Sequence, residues 1–268
     1  MPTKYVTVDG TAVYYLHTGR TTLPDVPPAL DRGRLFVLVH AAGSNAGMWR
    51  GQLDALGAEH SAIALDFPGH GRSSGVDGLP SIDAYADFLV RFVETVGHRR
   101  FVLVGRSMGG AVGVALAAKH PQLLDGLVLA CTAACFTFTD AQLATHRDVT
   151  RGRLPQQFTT ETFSPATGMD VMREAWMEQV KTDPRVRYTD MLACQAFEGR
   201  PLLGRVTTPT LVVAGADDQV TPVSCAEELA REIPKARLEV LPQAGHQAPL
   251  ERADEFNRLL TQFVTELR

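Results

Sequence analysis

The chain has 268 residues, with 26 Lys and Arg against 30 Asp and Glu, so its formal net charge is −4 at pH 7. With 45% hydrophobic and 21% charged residues it has the composition of a folded globular chain, not a disordered one. The acidic balance removes the basic footprint of a nucleic-acid binder, and no apolar run approaches the ~20 residues that cross a bilayer.

In chain order, segments 5–8 and 12–16, joined by Asp9-Gly10-Thr11, read as an antiparallel hairpin at a sheet edge. Strand signals follow at 36–40 (FVLVH), 62–67 (AIALDF), 101–105 (FVLVG) and 126–131 (GLVLAC), with helical patterns over 82–96 and 108–120. Pro121 stops the second of these helices. Beyond residue 200, strands at 210–215 (TLVVAG) and 237–241 (RLEVL) alternate with helices over 225–232 and 253–267. Strands that are apolar at nearly every position fit a sheet covered on both faces, so the pattern predicts an α/β fold with a mostly parallel, doubly wound sheet. Only residues 137–200 break the rhythm: they hold helical pattern at 170–181 and 187–197 and no strand. That span is too long for a plain loop and reads as a helical cap, leaving 1–136 and 201–268 as one core.

Cys131, Cys135, Cys194 and Cys225 have no paired spacing and read as core thiols of a reduced compartment. The first residues show no charged region followed by an apolar one, so the expectation is a cytoplasmic protein without a membrane partner. The histidines are scattered and no phosphate-binding glycine loop occurs, so neither a metal nor a cofactor is expected. Whether the chain is a monomer or a homo-oligomer is left open.

The chemistry concentrates in Gly105-Arg106-Ser107-Met108-Gly109, a G-x-S-x-G between a buried strand and a helix. Such a turn is sharp, its glycines remove Cβ atoms that would clash, and Ser107 falls at a helix N-terminus where negative charge is favoured. A serine hydroxyl needs a base, and His246, in Gln243-Ala244-Gly245-His246-Gln247, follows the last strand at its C-terminal end. Five other histidines, His17, His60, His98, His120 and His146, lack that context and read as structural. A carboxylate should orient the imidazole, and Asp217 and Asp218 both stand at the end of strand 210–215.

With serine, carboxylate and histidine in that chain order, the sequence resembles the α/β-hydrolase superfamily over nearly its whole length outside the cap. The resemblance implies an α/β-hydrolase fold and selects Asp218, four residues before Pro222 in a G-x-D-D-x-x-x-P loop, leaving Asp217 to shape the loop. It places the backbone N–H groups of Ala42 and Met108 in the oxyanion hole; Ala41 stands where the family usually has glycine. His40 and His70, the latter in Asp66-Phe67-Pro68-Gly69-His70-Gly71-Arg72-Ser73, become architectural. The implied activity is that of a serine carboxylesterase acting on a small-molecule ester. Aromatic and methionine residues from Phe136 to Phe197, among them Phe138, Phe158, Met169, Met177 and Met191, are expected to line a hydrophobic pocket, and the near-neutral balance suits an uncharged acyl group. Rival readings are a carbon–carbon bond or enol-lactone hydrolase of aromatic degradation and a non-turnover receptor. The carbon–carbon enzymes commonly carry Asn before the serine and Trp after the histidine, where this chain has Arg106 and Gln247.

Overall fold

A computed structural model describes residues 1–267. Its eight strands are β1 (Thr3–Val8), β2 (Thr11–His17), β3 (Leu35–Val39), β4 (Ser61–Leu65), β5 (Phe101–Arg106), β6 (Leu124–Ala130), β7 (Thr210–Gly215) and β8 (Ala236–Leu241). They form one sheet in the order β1-β2-β4-β3-β5-β6-β7-β8. β2 pairs antiparallel with β1 and β4, and every other neighbouring pair is parallel. The hairpin turn carries Asp9 and Gly10 at φ 49° and 78°, the two left-handed residues a type I′ turn requires.

The helices are α1 (Arg50–Leu56), α2 (Ile82–Thr95), α3 (Met108–Lys119), α4 (Asp140–Thr150), α5 (Met169–Gln179), α6 (Pro184–Ala196), α7 (Arg200–Leu203), α8 (Val223–Glu232), α9 (Ala248–Glu251) and α10 (Ala253–Glu266). Strand residues alternate between two apolar layers. Val37, Leu103, Leu127 and Val212 pack with α2, α3 and α8. Phe36, Val102, Val128 and Leu211 pack with α1 and α10 on the other face. This two-sided cover explains why β3, β4, β5 and β7 are buried at every position. β8, which carries Arg237 and Glu239, lies at the sheet edge and is half-exposed.

Between β6 and β7 the chain runs through α4 to α7 without a strand of the sheet. The two ends of this excursion meet where Cys135 bridges Glu198 and the Gly199 N–H donates to the Ala134 carbonyl at 2.8 Å. α4 was not visible as a helix in the sequence because it buries no residue; a capping box of Thr139 and Gln142 starts it instead. Among the described residues no helix is long and apolar enough to cross a membrane.

Candidate active site

The loops after β3, β5, β7 and β8 all leave the C-terminal edge of the sheet, where β3 and β5 diverge toward opposite sides. Ser107 sits between β5 and α3 at φ 52° and ψ −117°, a strained conformation for a residue with a Cβ. The turn is fixed from several sides. The Ser107 N–H donates to the Ala130 carbonyl at 3.0 Å, and its own carbonyl accepts from Thr132 Oγ1 at 2.7 Å. A Cβ on Gly105 would strike the Gly109 backbone, and one on Gly109 would lie 2.8 Å from the His40 carbonyl oxygen. The glycines of the motif are therefore required by close backbone approach at both positions.

His246 Nδ1 and Asp218 Oδ2 are 2.9 Å apart, and both side chains are buried. Asp218 also accepts from the Val220 and Thr221 N–H groups at 2.8 and 2.9 Å and from Thr221 Oγ1 at 2.9 Å. Burial opposes ionisation of Asp218, but the His246 contact and the Thr221 donors outweigh it and hold the carboxyl below its usual range. A carboxylate at Nδ1 puts the ring proton there and leaves Nε2 as the basic nitrogen. Ser107, His246, Ala41 and Ala42 line one cavity of about 430 Å³. Among the described residues no hydrogen bond joins Ser107 Oγ to the ring; such pairs are often loose without substrate. The N–H groups of Ala42 and Met108 have no protein acceptor among the described residues, whereas the Gly43 N–H donates to Asp190 Oδ2 at 2.8 Å.

The loop residues outside this trio have architectural partners. Asp217 Oδ2 accepts from Ser164 Oγ at 2.6 Å and so ties the loop after β7 to the β6–β7 excursion. His40 donates from Nδ1 to the Ala41 carbonyl at 2.8 Å and accepts the Phe67 N–H at Nε2, and burial lowers its pKa well below the ordinary value. Asp66 accepts from the Ala46 and Arg72 N–H groups at 2.6 and 2.8 Å, which shapes the turn that follows it. His70 is fully buried, with Nε2 2.7 Å from Asp190 Oδ2 and Nδ1 3.0 Å from the Pro68 carbonyl. Burial disfavours its cation, but Asp190 and the Pro68 carbonyl more than compensate, and its pKa is raised. Asp190 accepts from Tyr85 Oη as well. It thereby couples α6 to the loop that holds Ala42.

Two further residues escaped the sequence reading. Glu251 accepts from the Gly245 and Gln247 N–H groups on either side of His246, at 2.9 and 3.0 Å, and from the Ser164 N–H at 2.8 Å. No motif marks it beyond its place four residues after Gln247. His146, which reads as structural in the sequence, lies on the cavity wall, where burial and Arg187 push its pKa down to about 4. The cavity wall is mainly apolar, but not through all the residues the sequence put forward. Phe136, Phe138 and Met191 line it, but Met169 and Met177 are 64% and 53% exposed, and Phe158 meets Trp176 edge to face. Polar and charged side chains, including Gln142, Gln156, Arg106 and Arg187, share the wall with Phe136, Phe138 and Met191. Among the described residues no cluster of three or more potential metal ligands occurs.

An elbow serine, a buried histidine–carboxylate pair and a mostly parallel sheet are the marks of one class of enzyme fold. The chain belongs to the Alpha/beta hydrolase family, which its residues 36–259 match. It is 31% identical over 254 residues to RutD of Variovorax paradoxus (strain S110), assigned to carbamate hydrolysis; the match covers 88% of this chain and 93% of that protein. It is 29% identical over 247 residues to the dihydrolipoyllysine-residue acetyltransferase component of an acetoin cleaving system from Pseudomonas putida. That match covers 87% of this chain and 64% of the relative's length. The enol-lactonase from Burkholderia xenovorans LB400 has the same fold, with a TM-score of 0.82 at 27% identity over 98% of this chain and 100% of that one.

Proposed function

We propose that this hydrolase cleaves carboxylic esters of small to medium size through an acyl-enzyme on Ser107. One observation carries the reading: a serine on a strained strand-to-helix turn shares the wall of one cavity with His246, whose ring is held by the buried Asp218. His246 Nε2 takes the Ser107 proton as Oγ attacks the acyl carbon, and Asp218 holds the ring and stabilises the imidazolium. The tetrahedral oxyanion accepts from the Ala42 and Met108 N–H groups, which have no other protein acceptor among the described residues. His246 then protonates the leaving alkoxide, and water repeats the sequence to free the acid. A cavity of about 430 Å³ suits a small or medium substrate. Residues 137–200 act as a cap over it. An enol-lactone presents an oxygen-bound acyl carbon, so the likeness to the enol-lactonase supports this reading of the bond cleaved. Ser107→Ala is expected to abolish hydrolysis of a nitrophenyl ester without changing thermal unfolding. Retention of more than a few per cent of turnover overturns the proposal, and so does release of only about one product per chain by the native protein.

A further inference from the structure

Two arginines enter the cavity without a counter-ion. Arg106, beside Ser107, is 5% exposed, and its Nε and Nη1 have no hydrogen-bond partner. Arg187 reaches the same cavity from α6. Its aliphatic stem runs over Gly43 so closely that a Cβ on that glycine would lie 2.9 Å from Arg187 Cδ. Its stem thus packs on the loop carrying the Ala42 N–H. Among the described residues neither guanidinium forms an ion pair.

The nearby carboxylates are already committed. Asp190 accepts from Gly43, His70 and Tyr85. Asp218 accepts from His246 and Thr221, and Glu251 from Gly245, Gln247 and Ser164. Glu178, on the cavity wall, pairs with Lys181 at 2.6 Å, and Glu161 is exposed. Burial draws the Arg106 cation down to about 10, still well above neutrality, with Cys131, Asp218 and Glu251 opposing the drop only in part. Burial also lowers Arg187, against Asp190. A guanidinium held off water with no partner is costly, and a planar bidentate anion such as a carboxylate relieves that cost best.

Resting on the ester-hydrolase reading, we propose that the substrate is an anionic ester, bearing a free carboxylate on its acyl or alcohol part. Arg187 grips that carboxylate, and Arg106 adds positive field deeper in the cavity. This reverses the sequence-level expectation of an uncharged substrate, which rested on net charge summed over the whole chain.

The test compares monomethyl glutarate with dimethyl glutarate, following acid release by pH-stat. The native enzyme is expected to have the higher kcat/KM on the hemiester. In Arg187→Gln that preference falls by about 10- to 150-fold, the worth of a hydrogen bond to a charged group, chiefly through KM of the hemiester. Arg187→Lys, which keeps the charge but not the fork, retains an intermediate preference. A native enzyme that favours the diester, or a preference within threefold of native in Arg187→Gln, overturns the proposal. If neither ester turns over, the ester reading itself falls. Calorimetric titration of Ser107→Ala with glutarate then decides the carboxylate site: binding that weakens at least tenfold on adding Arg187→Gln supports it, and binding that is absent or unchanged overturns it.

Discussion

Replacing Asp190 with alanine removes the one carboxylate that joins α6, the His70 turn and the Gly43 loop. Asp190 and His70 side chains are wholly excluded from solvent, and His70 faces acceptors at both nitrogens. Loss of one partner of a buried ion pair costs about 3–5 kcal/mol, because the groups left behind, here the His70 ring, the Tyr85 hydroxyl and the Gly43 N–H, stay desolvated and lose their acceptor. For a domain of this size that corresponds to a fall in Tm of about 6–20 °C. The pH dependence changes with it. Since the pKa of His70 is raised in the fold, the stability it contributes is complete below the unfolded value of about 6.5 and is lost as pH rises through the folded value. Urea unfolding above about pH 6.5 therefore shows native stability falling with pH, while in Asp190→Ala, where only the Pro68 carbonyl and Asp66 still oppose burial at His70, the fall is much smaller. The freed Gly43 N–H also loosens the loop bearing Ala42, so kcat falls, by less than the about 10²- to 10³-fold of deleting an oxyanion donor. A loss of stability under about 1 kcal/mol, or the same pH slope in both proteins, refutes this account of the cluster.

Other expectations are more local. Asp218→Asn is expected to lower kcat by about 10⁴-fold by favouring the wrong imidazole tautomer, whereas Asp217→Asn, which touches only Ser164, gives the smaller loss in the same ester assay. Glu251→Gln weakens charge-assisted bonds to the N–H groups flanking His246 and is expected to cost about 1–3 kcal/mol in urea unfolding together with part of kcat. Gly109→Ala forces a methyl against the Val39 and His40 carbonyls and is expected to destabilise by about 1–3 kcal/mol, read from the same unfolding curves.

The sheet was legible because burial on both faces writes itself locally as unbroken runs such as FVLV in β3 and β5. The elbow was legible for a similar reason: steric crowding at Gly105 and Gly109 leaves no choice of residue. Asp190, Glu251, Arg106 and Arg187 carried no comparable mark. The role of Asp190 comes from Gly43, 147 residues away, that of Glu251 from N–H groups beside His246 and at Ser164, and a charged residue looks the same in sequence whether it faces water or a cavity. The excursion between β6 and β7 misled for the complementary reason. Met169 and Met177 are apolar and yet face solvent, while the polar α4 is a helix held by its cap instead of a buried stripe.

The central claim is that Ser107 is the nucleophile, and covalent trapping tests it most directly. Treatment with a fluorophosphonate followed by peptide mapping is expected to show one adduct per chain, on the peptide holding Ser107, with ester hydrolysis lost in proportion to labelling and no adduct in Ser107→Ala. An adduct on any other residue, or full activity in the labelled protein, contradicts the account.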